Sequence, residues 1–488
     1  MSAAFWHLLR SRAFPLIAMA ATACGGGDDG PLSVPEAPAN LAVTVGEQSL
    51  AVNWSPPGYD GGAAVQTYQV SITSASPDIG FNTSVVTDRT SAVINAALRD
   101  GVQYAISVTA QNRVGTSKAA SMGIMPGGIT PASYEPLTIE GDDSLNGISD
   151  PSVIRLANDQ VWMAYSNIDT YKDEGGKLVH TVGVRLARSD DQGNTFQFAS
   201  TIAASELTTV TDTDPELATC GTPICSGRWI YETPWLVQDE TDPDASRRFK
   251  LFAHQSFLSL GETSPRSYLG TIVMWTAASP EAEWSEPVSI LGSLYTAPEL
   301  IPANLINAMH ADLADCVAVN DGSAGIQSGA LDLALTCVYP GEAPLLSPPQ
   351  KIVLLRTTDH AKTFRYVSTL LTDDDASSFA PVHFTAPLLV YSADKAPLLI
   401  VTPAAGSGIS VGCSVFSIEN IKTGRLFREN DLPVRLFNLP PVEGHYGGAC
   451  AWDSGLSGTG MGMLISDIAL GVGQTDTKFG ILTTGRRL

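Results

Sequence analysis

Short runs of alternating apolar and polar residues, each ended by turn residues, follow one another along most of the chain. Residues 41–45 and 50–54 alternate in this way, and turn-forming residues at 56–57 and 60–62 end the second run. A period of two places successive side chains on opposite faces of a strand, while clustered Gly, Pro and Asp favour turns. No amphipathic run of normal helical length is evident. The pattern therefore predicts an all-β protein.

The composition changes at residues 127–133, which we interpret as a linker between two β regions. The chain has 488 residues, with 44 Gly and 31 Pro, and therefore has room for more than one core. We expect one domain at residues 37–126 and a second, larger one at residues 134–488.

The first region resembles fibronectin type III domains over its full span, and Tyr104 stands where that family has its tyrosine corner. The matching positions are Pro38, Leu41, Trp54, Tyr68, residues 98–104 and residues 110–115. The resemblance implies a β-sandwich and says little about function. We expect this module to act as a spacer, with glycan or protein binding as the alternative.

The second region contains a long repeat. Its clearest trace is a strand and turn that close on an aromatic residue, at Phe196, Trp284 and Phe364, with spacings of 88 and 80 residues. Two shorter units follow, near residues 396–403 and 460–466. Repeats of this length are typical of propellers. We therefore predict a five-bladed β-propeller, with residues 134–141 as the strand that completes the last blade.

The turn at residues 189–196 resembles the Asp box of sialidases and related propellers, and residues 357–364 form a degraded copy. In such a turn Asp191 and Thr195 bond the local backbone while Phe196 packs beneath them. The box supports the fold without implying an activity. A sialidase-like enzyme remains a third alternative, although no arginine trio is evident to hold a sialic acid carboxylate.

The predicted innermost strands each carry a carboxylate, a histidine or both near their start, where a propeller channel binds ligands. Convergent carboxylates are the groups that glycoside hydrolysis needs, because one protonates the leaving oxygen while another activates water or attacks the sugar. The alternative for each is a strand-end cap. The strands are predicted to open at residues 148, 231, 310, 383 and 443, and their candidate residues are Asp150, Glu232, Asp312, Asp315, His383, Glu443 and His445.

Residues 134–488 resemble the five-bladed hydrolases of glycoside hydrolase family 43. Asp150-Pro151-Ser152 is similar to the family motif that carries the general base of an inverting mechanism. The resemblance implies that Asp312 or Asp315 adjusts the pKa of the acid, and that His445 faces a central cation or water. Where the family has its acid, a Glu before x-Pro in blade 4, this chain has Thr385.

That departure leaves three hypotheses. Glu232, in the only Glu-x-Pro at a predicted inner strand, is the general acid, or His383 is, or the propeller binds a glycan or a protein without cleaving it. We expect a carbohydrate-active protein, with glycoside hydrolase favoured.

Further candidates concern the ligand. Trp235, Tyr446 and Trp452 are candidates for stacking on sugar rings, although core packing is the commoner role of such residues. His383 and His445 are candidates for binding substrate, and His445 also for ligating a metal. No cofactor is required by this chemistry, while a Ca²⁺ ion in the channel would fit the acidic composition.

The N-terminus has the layout of an exported lipoprotein. Residues 1–23 combine Arg10 and Arg12 with a short apolar stretch and end in small residues, which is typical of a signal peptide. Cys24 then resembles the lipid-attachment cysteine of bacterial lipoproteins, and Gly25 after it implies the outer membrane, facing the periplasm or the cell surface. Residues 24–36 are predicted to be a flexible tether.

The net charge and the cysteine content are consistent with an exported protein. The net charge of -22 becomes about -24 once Arg10 and Arg12 are removed, so nucleic acid is a poor candidate partner. Export makes disulfides the expected fate of the six other cysteines. Sequence proximity favours the pairs Cys220–Cys225 and Cys316–Cys337, which leaves Cys413 to pair with Cys450.

Overall fold

The computed structural model places nearly all of its regular structure in β-strands. It describes residues 32–45, 49–74, 81–95, 98, 104–124, 134–172, 175–176, 178–211, 224–260, 270–294, 296–327, 329–339, 349–379, 383–391, 396–404, 410–429, 431–453, 461–470 and 477–485. The predicted signal peptide, Cys24 and the first part of the tether lie outside the described residues. None of the described helices is long and apolar enough to cross a membrane.

The first region is a sandwich of two antiparallel sheets, with strand orders β1-β2-β5 and β4-β3-β6-β7. The strands are β1 (Ala39–Val45), β2 (Ser49–Ser55), β3 (Thr67–Ser74), β4 (Asn82–Thr87), β5 (Ser91–Asn95), β6 (Tyr104–Gln111) and β7 (Ala120–Ile124). Alternate residues of β6 are buried, beginning with Tyr104. Trp54 packs edge-on against Tyr68, with ring centroids 5.3 Å apart. The predicted sandwich is confirmed.

The second region is a propeller of five blades, as predicted. Its strands are β8 (Glu135–Pro136), β9 (Ile139–Glu140), β10 (Gly147–Arg155), β11 (Val161–Lys172), β12 (Leu178–Ser189), β13 (Phe196–Ala203), β14 (Leu207–Thr211), β15 (Ile224–Gln238), β16 (Phe249–Ser259), β17 (Thr271–Ala277), β18 (Val288–Leu291), β19 (Ala318–Gln327), β20 (Ala330–Val338), β21 (Gln350–Thr357), β22 (Arg365–Leu371), β23 (His383–Val390), β24 (Leu398–Ala404), β25 (Cys413–Asn420), β26 (Arg425–Leu426), β27 (Arg428–Glu429), β28 (Leu432–Pro433), β29 (Arg435–Leu439), β30 (Tyr446–Ala451), β31 (Leu464–Ala469) and β32 (Lys478–Thr483).

Blades 1, 2 and 3 are the antiparallel sheets β10–β13, β15–β18 and β19–β22, and blade 4 consists of β23, β24, β25 and β29. Blade 5 consists of β30, β31, β32 and β8. The described helices are single turns, namely α1 (Ile306–Met309), α2 (Asp373–Ser377) and the 3₁₀ turns Ala245–Arg247, Pro302–Asn304 and Ala311–Leu313.

An N-terminal strand closes the ring. Pro136 pairs with Leu482 of the last strand, so β8 supplies the fourth strand of blade 5. β9 then continues along blade 1, where Ile139 pairs with Phe196. Residues 135–136 thus complete blade 5 as predicted, whereas residues 139–140, predicted for the same strand, pair with blade 1 instead. β8 covers an edge of blade 5 that would otherwise be free to pair with other chains.

Both predicted Asp boxes have the expected turn geometry. Asp191 accepts hydrogen bonds from the Thr195 backbone N–H and hydroxyl at 2.9 and 2.7 Å. Asp359 accepts the equivalent bonds from Thr363 at 2.9 and 2.6 Å. The aromatic residue that closes each turn is buried. These boxes therefore stabilise turns of the blades.

Two of the three predicted disulfides are present. Cys316 pairs with Cys337 within blade 3, and Cys413 of blade 4 pairs with Cys450 of blade 5. The third predicted pair includes Cys220, which lies outside the described residues.

The fibronectin-like module touches the propeller. The Ser91 hydroxyl donates a hydrogen bond to the Glu419 carboxylate of blade 4. Ala51 and Val93 also pack into an apolar cluster made mostly of propeller residues. The module is therefore attached at its side as well as through residues 125–134 of the chain.

Candidate active site

The innermost strand of every blade contains a β-bulge at the same level. The strand pairing shifts after Ser149 in β10 and at the corresponding points of β15, β19, β23 and β30. A bulge adds a residue to one strand and re-aims the neighbouring side chains. The residues that begin the five bulges are Asp150, Thr233, Asp321, Ala386 and Ala449.

Four of these five residues have left-handed backbone, which is costly for a residue other than glycine. The φ angles are 52° at Asp150, 48° at Thr233, 43° at Ala386 and 45° at Ala449. Such strain persists only where the surrounding fold imposes it, and it concentrates at functional sites. The bulges line one small cavity at the channel mouth.

Carboxylates stand at the bulges of blades 1, 2 and 3. Asp150 and Asp321 each begin a bulge, and Glu232 directly precedes the bulge of blade 2. In blade 4 the equivalent of Glu232 is Thr385, and in blade 5 it is Gly448. Among the described bulge positions, the carboxylates therefore lie on blades 1 to 3.

Hydroxyl groups from both neighbouring blades hold Asp321. Thr385 donates to one carboxylate oxygen at 2.6 Å, and Thr233 donates to the other at 3.3 Å. Asp150 accepts a hydrogen bond from the Ser149 hydroxyl at 3.1 Å, and its backbone N–H donates to the Ser466 hydroxyl of blade 5 at 2.8 Å. These bonds tie adjacent blades together around the mouth.

Burial raises the pKa of two of the three carboxyls. The pKa of Asp150 rises to about 6, because burial outweighs a stabilising hydrogen bond from Ser166 and the negative Asp321 acts in the same direction as burial. The pKa of Glu232 rises to about 8, through burial first and then through the charges of Asp150 and Asp321. Both neighbouring carboxylates therefore contribute to the raised pKa of Glu232.

Near neutral pH the pair adopts opposite protonation states. Between pH of about 6 and about 8, Asp150 is mostly ionised and Glu232 mostly protonated. A proton donor beside a proton acceptor is the arrangement that general acid–base chemistry requires.

Asp312 does not belong to this group, and the prediction that blade 3 opens at residue 310 is wrong. Asp312 lies in the exposed 3₁₀ turn Ala311–Leu313, and its side chain is 63% exposed. The innermost strand of blade 3 is β19, which begins eight residues later and brings Asp321 to the mouth. Asp315 is also on the surface, where its carboxylate accepts from Lys351 Nζ at 2.6 Å.

The sequence contained a signal for the correct strand. Apolar residues alternate over residues 330–337, as expected for the second strand of blade 3, and hairpin loops are usually two to five residues long. The strand before it therefore has to end close to residue 327. A strand opening at residue 310 would instead have required a connection of a dozen residues.

The two tryptophans predicted to stack on sugars belong to the core. Trp235 is 2% exposed and Trp452 is 4% exposed. The ring of Trp235 stacks on Phe252, with centroids 5.6 Å apart and planes 11° apart. Neither ring has an exposed face on which a sugar could stack, so both tryptophans pack in the core.

The two candidate histidines differ in accessibility. His383 is 2% exposed, and burial lowers its pKa. His445 is partly exposed just before β30, and its Nδ1 lies 3.0 Å from the Asp467 carboxylate. Tyr446, which begins β30, is also partly exposed. A ligand role for His445 stays a prediction.

Below the mouth the channel widens into a cavity of about 260 Å³, lined by the lower parts of the inner strands of blades 1 to 4 and by Trp452. No arginine is among the described residues that line the small cavity at the bulges.

One buried cluster has the side chains of a metal site but contains a lysine. Asp239, Asp242 and His360 approach one another at the far end of blades 2 and 3. The Nζ of Lys250 lies 3.1 Å from Asp239 and 2.8 Å from Asp242, so an ammonium group already neutralises these carboxylates. We interpret the cluster as structural.

Comparisons with known proteins agree with this architecture. The family model of the fibronectin type III domain matches residues 36–122. No curated protein matches the chain significantly. Among solved structures, the family 117 glycoside hydrolase Zg3597 of the marine bacterium Zobellia galactanivorans is 13% identical, covering 72% of this chain and 89% of its own, with a TM-score of 0.43.

Two further structures are similar over different parts of the chain. An exo-1,5-alpha-L-arabinanase from a bovine ruminal metagenomic library is 12% identical over 70% of this chain and 94% of its own, with a TM-score of 0.34. The twitchin kinase region of C. elegans is 18% identical over 32% of each chain, with a TM-score of 0.19. The chain is an all-β protein in which a fibronectin type III module precedes a five-bladed β-propeller.

Proposed function

We propose that the propeller is a glycoside hydrolase in which Glu232 is the general acid and Asp150 the general base. The observation that supports this most directly is the group of three carboxylates from consecutive blades, two with strongly raised pKa values. An acid held protonated at neutral pH beside an ionised base is the pairing that hydrolysis of a glycosidic bond uses.

The proposed step moves two protons. Glu232 gives its proton to the glycosidic oxygen as the bond from that oxygen to the anomeric carbon breaks. Asp150 takes a proton from the water whose oxygen forms the new bond to the anomeric carbon. Asp321 accepts hydrogen bonds from Thr233 and Thr385, which hold it in place. Its charge raises the pKa of Glu232 and so helps to keep this acid protonated.

The test is a pair of isosteric substitutions, Asp150→Asn and Glu232→Gln, assayed on a panel of oligosaccharides, polysaccharides and p-nitrophenyl glycosides. Each is expected to lower kcat by about 10²- to 10⁴-fold, because each removes one proton-transfer group. Asp312→Asn is the matched control, since it removes a carboxylate from the surface of blade 3, and it is expected to retain full activity. Wild-type turnover in either of the first two variants would refute the assignment.

A non-catalytic glycan- or protein-binding propeller is the second candidate. Thr385 occupies the position in blade 4 where the resemblance to family 43 places its acid, and its hydroxyl is engaged by Asp321. This candidate predicts binding without cleavage by the wild-type protein across the whole panel.

We propose that the chain acts as an outer-membrane lipoprotein anchored through Cys24, with carbohydrate as its partner. Labelling of the expressed chain with a radioactive fatty acid, compared with a Cys24→Ser variant, tests the anchor. Equal labelling of the two proteins would contradict it.

A further inference from the structure

A groove separates the outer parts of blades 1 and 2. Its volume of about 410 Å³ lies in the range typical of small-molecule sites. Two of its lining residues, Trp162 of β11 and Trp275 of β17, are buried. The blade 1–2 groove is lined by Trp162, residues 199–202 of β13, Trp275 and residues 281–287, which precede β18.

The groove is separate from the channel mouth, since none of these residues also lines the cavity at the bulges. Trp162 stands four residues along β11 from Ser166, which is level with the bulge, or about 13 Å at the usual strand rise. β13 and β18 are the fourth strands of their blades, counted from the channel. A ligand in this groove therefore leaves the carboxylates at the mouth free.

Trp284 lines the groove and differs from the other two aromatic residues that close a repeat. Phe196 and Phe364 are 2% and 4% exposed beneath their Asp boxes, whereas Trp284 is partly exposed. The Trp284 indole N–H donates to the Pro280 carbonyl at 3.3 Å, and the side chain packs against the apolar cluster between the blades. The ring is therefore held in place while part of it stays accessible.

The turn before Trp284 lacks an Asp box. Ser279 and Glu283 stand where the box of blade 1 has Asp191 and Thr195. The Thr195 hydroxyl donates inwards to Asp191 at 2.7 Å, whereas Glu283 is exposed. The turn that stabilises blades 1 and 3 thus presents an aromatic ring and a carboxylate to the groove in blade 2.

Polar side chains line both sides of the groove. Glu283 and Glu286 lie on the side of blade 2, and the hydroxyl groups of Ser200 and Thr201 lie on the side of blade 1. None of these four side chains forms a hydrogen bond or an ion pair with another described residue. Their hydrogen-bonding capacity is therefore available to a ligand.

These groups suit a neutral sugar chain. The apolar face of a sugar ring packs on an accessible aromatic ring, and sugar hydroxyls donate to carboxylates and bond hydroxyl side chains. The negative charges of Glu281, Glu283 and Glu286 would repel an anionic glycan. A small cation could bind a carboxylate and the Trp284 ring, but it has no acceptor for a serine or threonine hydroxyl.

We infer that the blade 1–2 groove is a second glycan-binding site, which takes a neutral sugar chain and holds it on the propeller. This site goes beyond the proposed function and does not depend on it, because it uses none of the carboxylates at the mouth. Its test is therefore a measurement of binding, which stands whether or not the protein hydrolyses the glycan.

Affinity electrophoresis in native gels measures this binding. The protein carries Glu232→Gln throughout, so that the polymer is not cleaved during the run. The gels contain arabinoxylan, galactomannan, mixed-linkage β-glucan or starch, all neutral, or the anionic polygalacturonate. Retardation by at least one neutral polymer and none by polygalacturonate is expected. Mobility unchanged by all four neutral polymers, or lowered by polygalacturonate, would overturn the inference.

Substitutions at Trp284 locate the binding. Trp284→Ala is expected to weaken binding of the retarding polymer about tenfold, since tryptophans are frequent binding hot spots, while Trp284→Phe keeps a ring and retains most of the affinity. Trp229→Ala is the matched control, because Trp229 packs against the same apolar cluster and does not line the groove. Unchanged retardation in Trp284→Ala, or equal losses in Trp284→Ala and Trp229→Ala, would overturn the inference.

A cation is the other occupant that the test must exclude. Isothermal titration with choline chloride is expected to give no heat of binding, and choline is expected to leave the retardation unchanged. Choline binding that Trp284→Ala abolishes, together with retardation that choline suppresses, would assign the groove to a cation and overturn the inference.

Discussion

If Glu232 is held protonated at neutral pH, replacing it by glutamine stabilises the protein, and does so increasingly as the pH rises. The folded chain raises the pKa of this carboxyl from 4.5 to about 8. When folding raises the pKa of an acid, the folded state becomes less stable relative to the unfolded state at each pH where the unfolded acid ionises more readily. The cost is nearly absent below pH of about 4.5, grows up to about 8 and is then constant.

The magnitude follows from the same pKa. A rise of the pKa from 4.5 to about 8 makes the folded state about 4 kcal/mol less stable at pH 9 than at pH 5, relative to the unfolded chain. Glu232 is partly exposed and water therefore reduces the effect of burial, so we expect about 2–4 kcal/mol. Glu232→Gln should abolish this dependence, because glutamine does not ionise.

Urea unfolding at pH 5, 7 and 9 measures the effect without knowledge of the substrate. Six of the eight tryptophans lie in the propeller, so fluorescence follows chiefly the domain that contains Glu232. Glu299→Gln, at an exposed position, is the control and should follow the wild type at every pH. A difference between Glu232→Gln and wild type that is independent of pH, or larger at pH 5 than at pH 9, would refute the reasoning.

Three other predictions concern the same domain. The plot of kcat/KM against pH should be bell-shaped with limbs near about 6 and 8, from ionisation of Asp150 and then of Glu232; an activity that keeps rising above pH 9 would contradict this order. Replacing Cys413 and Cys450 together by serine should lower the free energy of unfolding by about 2–4 kcal/mol, measured in urea, since their disulfide joins blade 4 to the bulge of blade 5. Lys250→Met should cost about 3–5 kcal/mol in the same assay, because it removes the buried ammonium group that bonds both Asp239 and Asp242; an unchanged urea midpoint would contradict that role.

The fold was largely predictable because its signals are local. Alternation marks the strands, and the recurring aromatic marks the blades. Residues 134–141 (YEPLTIEG) have the same pattern as residues 285–292 (SEPVSILG), which marks the closing strand. Each depends on neighbours in sequence. The disulfide between Cys316 and Cys337 was predictable for the same reason, since a single hairpin brings the two residues together.

The site was predicted only in part, because it depends on which residue of each strand reaches the bulge. Asp150 stands directly before a proline and Glu232 two residues before one, and both were identified. Asp321 was missed because Asp312, nine residues before the true bulge residue, was assigned to the inner strand. The raised pKa values come from burial and from charges on other blades, which no local pattern encodes.

The ring of bulges also accounts for an acid in blade 2. Asp321 is bonded by a threonine from the blade on each side, so blades 2 and 4 are equivalent neighbours of this carboxylate. They are not equivalent with respect to Asp150, because blade 2 adjoins blade 1 and blade 4 does not. The charges of Asp150 and Asp321 both raise the pKa of the Glu232 carboxyl. A carboxyl in place of Thr385 would have only Asp321 as a charged neighbour. When the base is Asp150 in blade 1, a carboxyl in blade 2 lies next to both Asp150 and Asp321, and their charges keep it protonated.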